Sequence, residues 1–232
     1  TGGTTYEVTG SGLDPDGEFP VDGESASVSP LEPILRCGLC CNNAERVEDA
    51  SGDAEKQYIG DPTEVALLVS ALKAGVEDDS ERVAEVPFSS ERQRMTVVVR
   101  EEGDHTAYTK GAPEVVLDRC DTVLVDGETR ELTDEHRQEF LASVDEFAGD
   151  ALRVLGFASK AGVDPDADEE ELETGLTFLG LQGMIDPPRE EVPDAVADCR
   201  KAGIRVVMVT GDNVETAKAV GAEVGFDPTG AM

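Results

Sequence analysis

His105-Thr106-Ala107-Tyr108-Thr109-Lys110-Gly111-Ala112-Pro113-Glu114-Val115-Val116-Leu117 carries a strand into a helix within thirteen residues. The first five residues, threonine- and tyrosine-bearing, favour extended backbone. Gly111 permits a sharp turn, and Pro113 with Glu114 suits a first helical turn, where a missing N–H costs little and an acid favours the helix dipole. Lys110 therefore stands at a strand end beside a helix N-terminus, where a phosphate can be met. Taken alone, a lysine before a glycine turn is more often an ordinary solvated surface residue.

Working outward, two more strands precede this one, Arg82 to Phe88 and Met95 to Arg100. Glu101-Glu102-Gly103-Asp104 joins the latter to His105 as a hairpin turn. Further upstream, Asp61-Pro62-Thr63-Glu64 opens a helix that stops at Gly75: Asp61 caps it, Pro62 takes its first position and Glu64 closes a capping box. An earlier helix runs from Ser27 or Ser29 to about Ala50, after a loop over Gly10 to Gly23 and an extended stretch over residues 4–9. Downstream the pattern predicts a hairpin around Asp126-Gly127, a helix from Thr133 to Ala148, a strand from Ala151 to Lys160 and another from Leu176 to Met184. Asp164 to Glu173 reads as a solvated loop or short surface helix.

The rhythm changes at Asp186-Pro187-Pro188. A helix bearing Val192, Ala195, Val196 and Cys199 on one face leads to Ile204-Arg205-Val206-Val207-Met208-Val209, apolar nearly throughout. Such a run suits a parallel strand covered on both faces, and another helix follows Asn213. The fold class is thus α+β, an antiparallel sheet flanked by helices over 1–185, followed by a partial α/β layer over 186–232. Asp186 marks the hinge.

Composition narrows the partners. Lys+Arg number 19 against 51 Asp+Glu, a formal charge of −32. A field of that sign repels phosphates from most of the surface and excludes nucleic acid as a general partner. The acid is spread along the chain, as expected of adaptation to high salt, which screens the self-repulsion. Against this background a basic residue within a motif, such as Lys110, Arg153 or Arg189, points to a specific anion. No apolar run reaches the ~20 residues of a membrane helix. The chain lacks a signal-peptide pattern, and both its ends read as positions inside a longer polypeptide. Five cysteines, an odd number, suggest reduced thiols. Cys37 and Cys40 form one Cys-x-x-Cys without a companion pair, which favours packed thiols over zinc, so no metal ligands are assigned.

Further motifs carry chemistry. Thr210-Gly211-Asp212-Asn213, at the carboxyl end of the expected parallel strand, offers a hydroxyl, an N–H and a carboxylate for a phosphoryl group and a neighbouring Mg²⁺; it is also a plain capped turn. Phe88 stands at a strand end before Ser89-Ser90-Glu91-Arg92, either to stack on a base or to pack in the core. Arg153 is a charge in an apolar strand, suited to an anion or to the strand's solvent side. No Gly-x-x-x-x-Gly-Lys-Ser/Thr is present, so a P-loop is excluded.

Taken in order, Gly60-Asp61-Pro62-Thr63-Glu64, Phe88-Ser89-Ser90-Glu91-Arg92, Thr109-Lys110-Gly111-Ala112-Pro113-Glu114, Leu152-Arg153, Asp186-Pro187-Pro188-Arg189 and Thr210-Gly211-Asp212-Asn213 resemble the large cytoplasmic loop of a P-type cation-transporting ATPase, closest to the calcium-pump branch. Tyr6-Glu7-Val8-Thr9-Gly10 resembles the start of that branch's nucleotide-binding domain. The resemblance covers essentially the whole chain and implies a nucleotide-binding domain over 1–185, followed by part of a haloacid-dehalogenase-like phosphorylation domain over 186–232.

It also implies the roles. Phe88 would stack on adenine with Glu64 near the adenine edge; Lys110 and Gly111 would line the pocket, with Arg92 or Arg94 compensating for Gln93, which stands where relatives often carry a second lysine. Arg153 would reach the polyphosphate, Asp186 and Arg189 would stand at the hinge, and Thr210, Gly211 and Asp212 would face the transferred phosphoryl group. ATP with Mg²⁺ would be the ligand, and the membrane and actuator domains of a parent pump the partners, this segment lying on the cytoplasmic side of the plasma membrane without entering it. The Asp-Lys-Thr-Gly-Thr segment with the phosphorylated aspartate is absent, so ATP binding without turnover is expected. Two other classes stay open: a soluble phosphatase on the same α/β core, which needs a nucleophilic aspartate of its own, and a non-catalytic interaction module with a vestigial pocket, favoured by Gln93.

Overall fold

The computed structural model describes residues 3–10, 12–47, 58–101, 103–185, 191–209 and 214–226. It divides into two compact units, one of residues 1–140 and 155–182, the other of residues 141–154 and 183–232.

The first unit is built on a seven-stranded sheet. In chain order its strands are β3 (Glu81–Ser89), β4 (Arg94–Glu101), β5 (Asp104–Gly111), β6 (Cys120–Val125), β7 (Glu128–Glu131), β8 (Arg153–Ala161) and β9 (Leu176–Met184); β8 and β9 overlap the second unit at one end each. The spatial order is β3-β4-β5-β8-β9-β6-β7. The neighbours β3–β4, β4–β5, β5–β8 and β6–β7 are antiparallel, and β6 runs parallel to β9. Threonine, valine and tyrosine dominate β4 and β5, whose branched side chains fit a pleated, covered surface. Six consecutive residues of β4, Arg94 to Val99, are buried, because helices cover both faces of the sheet's centre.

On one face lie α1 (Glu32–Cys40) and α2 (Pro62–Lys73), which pack on each other and, through α1, on β5. On the other lie α3 (Pro113–Leu117), the start of α4 (Asp134–Gly149) and α5 (Glu169–Leu172). Val116, Leu117, Cys120, Val123, Ala158, Leu176 and Phe178 make one core cluster there, closed by an edge-on contact of Phe140 with Phe178 at 4.7 Å. Burying each valine, leucine or phenylalanine of this cluster is worth about 1.5–3 kcal/mol. A two-stranded ribbon, β1 (Glu45–Arg46) with β2 (Tyr58–Ile59), precedes α2.

Several expectations stand in the structure. Asp61 caps α2 by accepting from the Thr63 N–H at 2.9 Å. Asp126 and Gly127, with φ of 52° and 79°, make the mirror-image turn that matches strand twist between β6 and β7. Thr133 caps α4, its Oγ1 accepting from the His136 N–H at 3.3 Å.

Others are corrected. The helix expected to reach about Ala50 ends at Cys40: Asn42 turns the chain, its Oδ1 accepting from the Ala44 N–H at 2.7 Å, and β1 follows. That local side-chain bond competes with helix continuation. Residues 4–9 are not a strand, although the Glu7 and Thr9 N–H groups bond to the Pro20 and Glu18 carbonyls. Glu173, placed in a solvated stretch, is fully buried.

In the second unit α6 (Val192–Lys201) and α7 (Val214–Glu223) form as expected, but Ile204 to Val209, read as a buried parallel strand, pairs with no strand among the described residues. Val207 and Val209 are 67% and 91% exposed. An isolated extended segment has no ladder to satisfy its backbone and no layer to cover it, so periodicity alone does not make a strand. Among the described residues no helix is long and apolar enough to cross a membrane.

Candidate nucleotide site

One end of the sheet gathers the candidates. Antiparallel pairing places the last residues of β3, the first of β4 and the last of β5 together: Ser89 faces Arg94, and Arg94 faces Gly111. Beyond that end β5 passes through Ala112 into α3.

Lys110 lies between Met95 of β4 and Phe157 of β8, both buried, so its aliphatic stem runs over apolar surface. Its Nζ donates to Glu64 Oε1 at 2.8 Å, with the two side chains only 9% and 15% exposed. A solvated surface lysine is thereby excluded: this ammonium is fixed beside one carboxylate at the edge of the core. Glu64 consequently points across to β5 instead of closing the capping box expected at the start of α2.

Asn42, which the sequence does not single out, holds that helix start. Its Nδ2 donates to the Gly38 carbonyl at 3.0 Å and the Glu64 carbonyl at 2.8 Å, tying α1 to the first turn of α2. Gly60 serves the same junction, since a Cβ there would stand 2.7 Å from the Ala44 Cα.

Gly111 has a different reason from the one expected. It lies inside β5 rather than in a turn, and a Cβ would meet the Gln93 carbonyl oxygen at 2.4 Å and the Arg94 Cβ at 2.7 Å. The close approach is closed by the Ala112 N–H, which donates to the Gln93 carbonyl at 2.9 Å. Gln93 itself adopts a left-handed φ of 53°, and its N–H bonds to the Ser89 carbonyl, making a tight β3–β4 turn.

Phe88 stands at the end of β3 with 61% of its surface exposed, so core packing does not account for it. It lies at a register irregularity between Val86 and Ser89, which also lets Pro87 sit in a strand without breaking the ladder. An uncovered aromatic ring at a strand end is a stacking platform for a flat ring.

Arg92, expected in the pocket, has its guanidinium engaged elsewhere. Its Nη2 donates to the buried Glu173, its Nη1 to the Pro87 carbonyl at 3.1 Å, and its Nε lies 3.9 Å from Glu169 Oε2. Arg153 opens β8 with an exposed side chain and belongs to the second unit. Asp186, Arg189, Thr210, Gly211 and Asp212 lie outside the described residues.

Four of the five cysteines, Cys37, Cys40, Cys41 and Cys120, are buried. The Cys37 thiol donates to the Ala158 carbonyl at 3.4 Å and that of Cys41 to the Met95 carbonyl at 3.5 Å. Burial pushes the Cys41 thiol up to about 12, against a smaller opposing pull from Lys110, and holds Cys37 well above the ordinary thiol range. Cys40, Asp78 and Glu101 bring three metal-ligating atoms within 4.8 Å of one another. Arg36 already lies against both carboxylates, at 3.4 and 3.1 Å, and supplies the cation there.

The comparisons with known proteins settle the family. Residues 30–191 match the family described as P-type ATPase, cytoplasmic domain N. The chain belongs to the P-type ATPases. It is 41% identical to a calcium-transporting ATPase of Bacillus subtilis, covering 98% of this chain and 26% of that protein. It is 40% identical to a cation-transporting ATPase of Synechocystis over 99% of this chain and 26% of the relative, and 40% identical to calcium-transporting ATPase 1 of Lactococcus lactis over 86% and 23%. The chain thus spans about a quarter of the length of these P-type ATPases, the part that carries domain N.

Proposed function

We propose that this chain is the ATP-binding segment of a P-type cation-transporting ATPase, with domain N over 1–185 and the beginning of a haloacid-dehalogenase-like phosphorylation domain over 186–232. ATP held at the sheet end of β3, β4 and β5 is presented to a phosphorylatable aspartate outside this chain, and the acyl phosphate drives cation movement through membrane helices of the parent. The observation that carries this reading is the occurrence of an exposed aromatic, Phe88, and a buried, carboxylate-held cation, Lys110, at the same end of β3 and β5, the strands on either side of β4.

Each part of the nucleotide then has a physical reason for its place. The adenine ring covers the uncovered face of Phe88, replacing water on apolar surface. Lys110, oriented by Glu64, meets a polar edge or phosphate without the entropy cost of ordering a free lysine. Arg153 adds a cation for the polyphosphate. Asp186 and Arg189 form the hinge; Thr210, Gly211 and Asp212 receive the γ-phosphoryl group, with Mg²⁺ arriving on the nucleotide to neutralise its charge. Calcium is the cation that the names of two of the relatives suggest. A parent of this kind places the segment on the cytoplasmic side of the plasma membrane, against its actuator and membrane domains.

Titration with a fluorescent ATP analogue in molar KCl, followed by competition with ATP, tests the reading. Displacement without hydrolysis is expected, and no displacement by millimolar ATP would refute it. Phe88→Ala is expected to weaken binding more than Gln93→Ala; the reverse order removes Phe88 as the stacking residue.

A further inference from the structure

We infer that Glu173 is a positioning residue of this nucleotide site, acting from the opposite face of the sheet through the arginines on either side of Gln93. The inference rests on the ATP-binding reading above.

Glu173 follows α5 and is 0% exposed, although it closes one of the most acidic stretches of the chain. Its backbone is held on both sides. Leu172 is buried with Val86, Val98, Ala107 and Val163, while Lys160 Nζ of β8 donates to the Glu171 carbonyl at 2.8 Å and the Thr174 carbonyl at 3.0 Å. The carboxylate therefore has a fixed address. Arg94 Nε donates to its Oε2 at 2.7 Å, Thr96 Oγ1 to its Oε1 at 2.7 Å, and Arg92 Nη2 also to Oε1. Thr96 Oγ1 in turn lies 2.9 Å from Thr109 Oγ1, carrying the network into β5.

Side chains alternate along a strand, so Thr109 and Lys110 occupy opposite faces. Glu173 thus lies on the side of the sheet away from the Lys110–Glu64 pair. What it controls is the turn between β3 and β4. Arg92 and Gln93 end that turn, which begins at Ser90, and Arg94 opens β4 beyond it; Arg92 also donates to the carbonyl of Pro87, the neighbour of Phe88, and the Gln93 carbonyl accepts from Ala112 beside Gly111. Two arginines held by one buried carboxylate therefore set Phe88 relative to Lys110.

Stability alone does not account for a buried charge here, since apolar replacements of buried ion pairs are often neutral or stabilising. Fixed geometry does account for it, because two guanidinium groups and a hydroxyl on one carboxylate leave the turn a single arrangement.

The test is competition of a fluorescent ATP analogue by ATP and, separately, by adenosine, on the wild-type chain, Glu173→Gln and Arg92→Gln, with circular dichroism in molar KCl to show folding. Arg92→Gln leaves Glu173 bound to Arg94 and Thr96, so it decides the matter if Glu173→Gln does not fold. If Glu173 acts by placing Phe88, both ligands weaken by the same factor, about tenfold in Glu173→Gln and about threefold in Arg92→Gln, factors that correspond to a mispositioned contact. In a Phe88→Ala background the Glu173→Gln effect on adenosine disappears. Folded variants that bind both ligands as the wild type does overturn the inference and leave ATP binding standing. So does an Arg92→Gln that loses ATP affinity while keeping adenosine affinity, which would make Arg92 a direct phosphate ligand. A wild-type chain that ATP does not displace overturns the functional reading, and this inference with it.

Discussion

Met95-Thr96-Val97-Val98-Val99 and Ile204-Arg205-Val206-Val207-Met208-Val209 are alike in being valine-rich runs with one polar residue in second place, and they have opposite fates. In β4 the three valines are 0–2% exposed, with neighbours hydrogen-bonded along both edges and helices over both faces. In the second unit Val207 and Val209 are 67% and 91% exposed, and the run pairs with nothing among the described residues. Hydrophobic patterning states what a segment can bury; whether it does so depends on partners far away in sequence.

A matched pair of substitutions tests that contrast most strongly. Met95→Ala, at a site 2% exposed, is expected to lower stability by about 2–5 kcal/mol in urea unfolding. Met208→Ala, at 39% exposure, is expected to change it by less than about 0.5 kcal/mol. Equal losses would mean that the second run is packed as the first is.

The glycines sharpen the same comparison. Gly111→Ala drives a methyl against the Gln93 carbonyl oxygen and should cost about 1–3 kcal/mol while weakening ATP binding. Gly203→Ala, at φ 72° in the second unit with nothing within 4 Å, meets only the left-handed backbone penalty of about 1–2 kcal/mol and should leave ATP binding unchanged. An unchanged ATP affinity in Gly111→Ala would separate β5 from the site.

Thiols give the next contrast. Cys37, Cys40, Cys41 and Cys120 are buried in the first unit, whereas Cys199 is half-buried in the second. Maleimide labelling of the native chain at pH 7 should reach Cys199 alone, with the other four labelled only after unfolding. Burial raises Cys40, Cys41 and Cys120 from 9.0 to about 12. Because the unfolded thiols release protons first as pH rises, stability should be full below pH 9.0 and decline toward pH 12. Urea midpoints at pH 8 and pH 10 measure this; a rise at pH 10 would contradict the sign.

The smallest effect in kind is global. A formal charge of −32 predicts more complete folding in molar KCl than in dilute buffer, and equal circular dichroism in both would remove the high-salt reading.

Much of the first unit is legible in its sequence for identifiable reasons. The strands over Met95–Arg100, His105–Thr109 and Leu176–Met184 are bounded by turn residues, and the start of α2 carries its own cap at Asp61. These are local signals, acting over three or four residues. Lys110 and Phe88 are legible as candidates, because a cation in an acidic chain and an aromatic at a strand end are conspicuous. Their neighbours are not. Glu173 looks like the other acids of 168–173 until Arg92, Arg94 and Thr96 converge on it, and Asn42 looks like a surface residue until it joins α1 to Glu64.

By itself, then, the sequence determined the order of elements in the first unit from α2 onward, the motif series that marks a P-type ATPase and the residue types able to hold a nucleotide, because propensity, capping and motif spacing are written in adjacent residues. Tertiary structure alone decided that Gly111 serves a close approach rather than a turn, that Arg92 serves Glu173 on the far face of the sheet, and that the valines of β4 are core while Val207 and Val209 are exposed. Each of those outcomes depends on what a strand or helix tens of residues away brings within a few ångströms, and no local pattern carries that information.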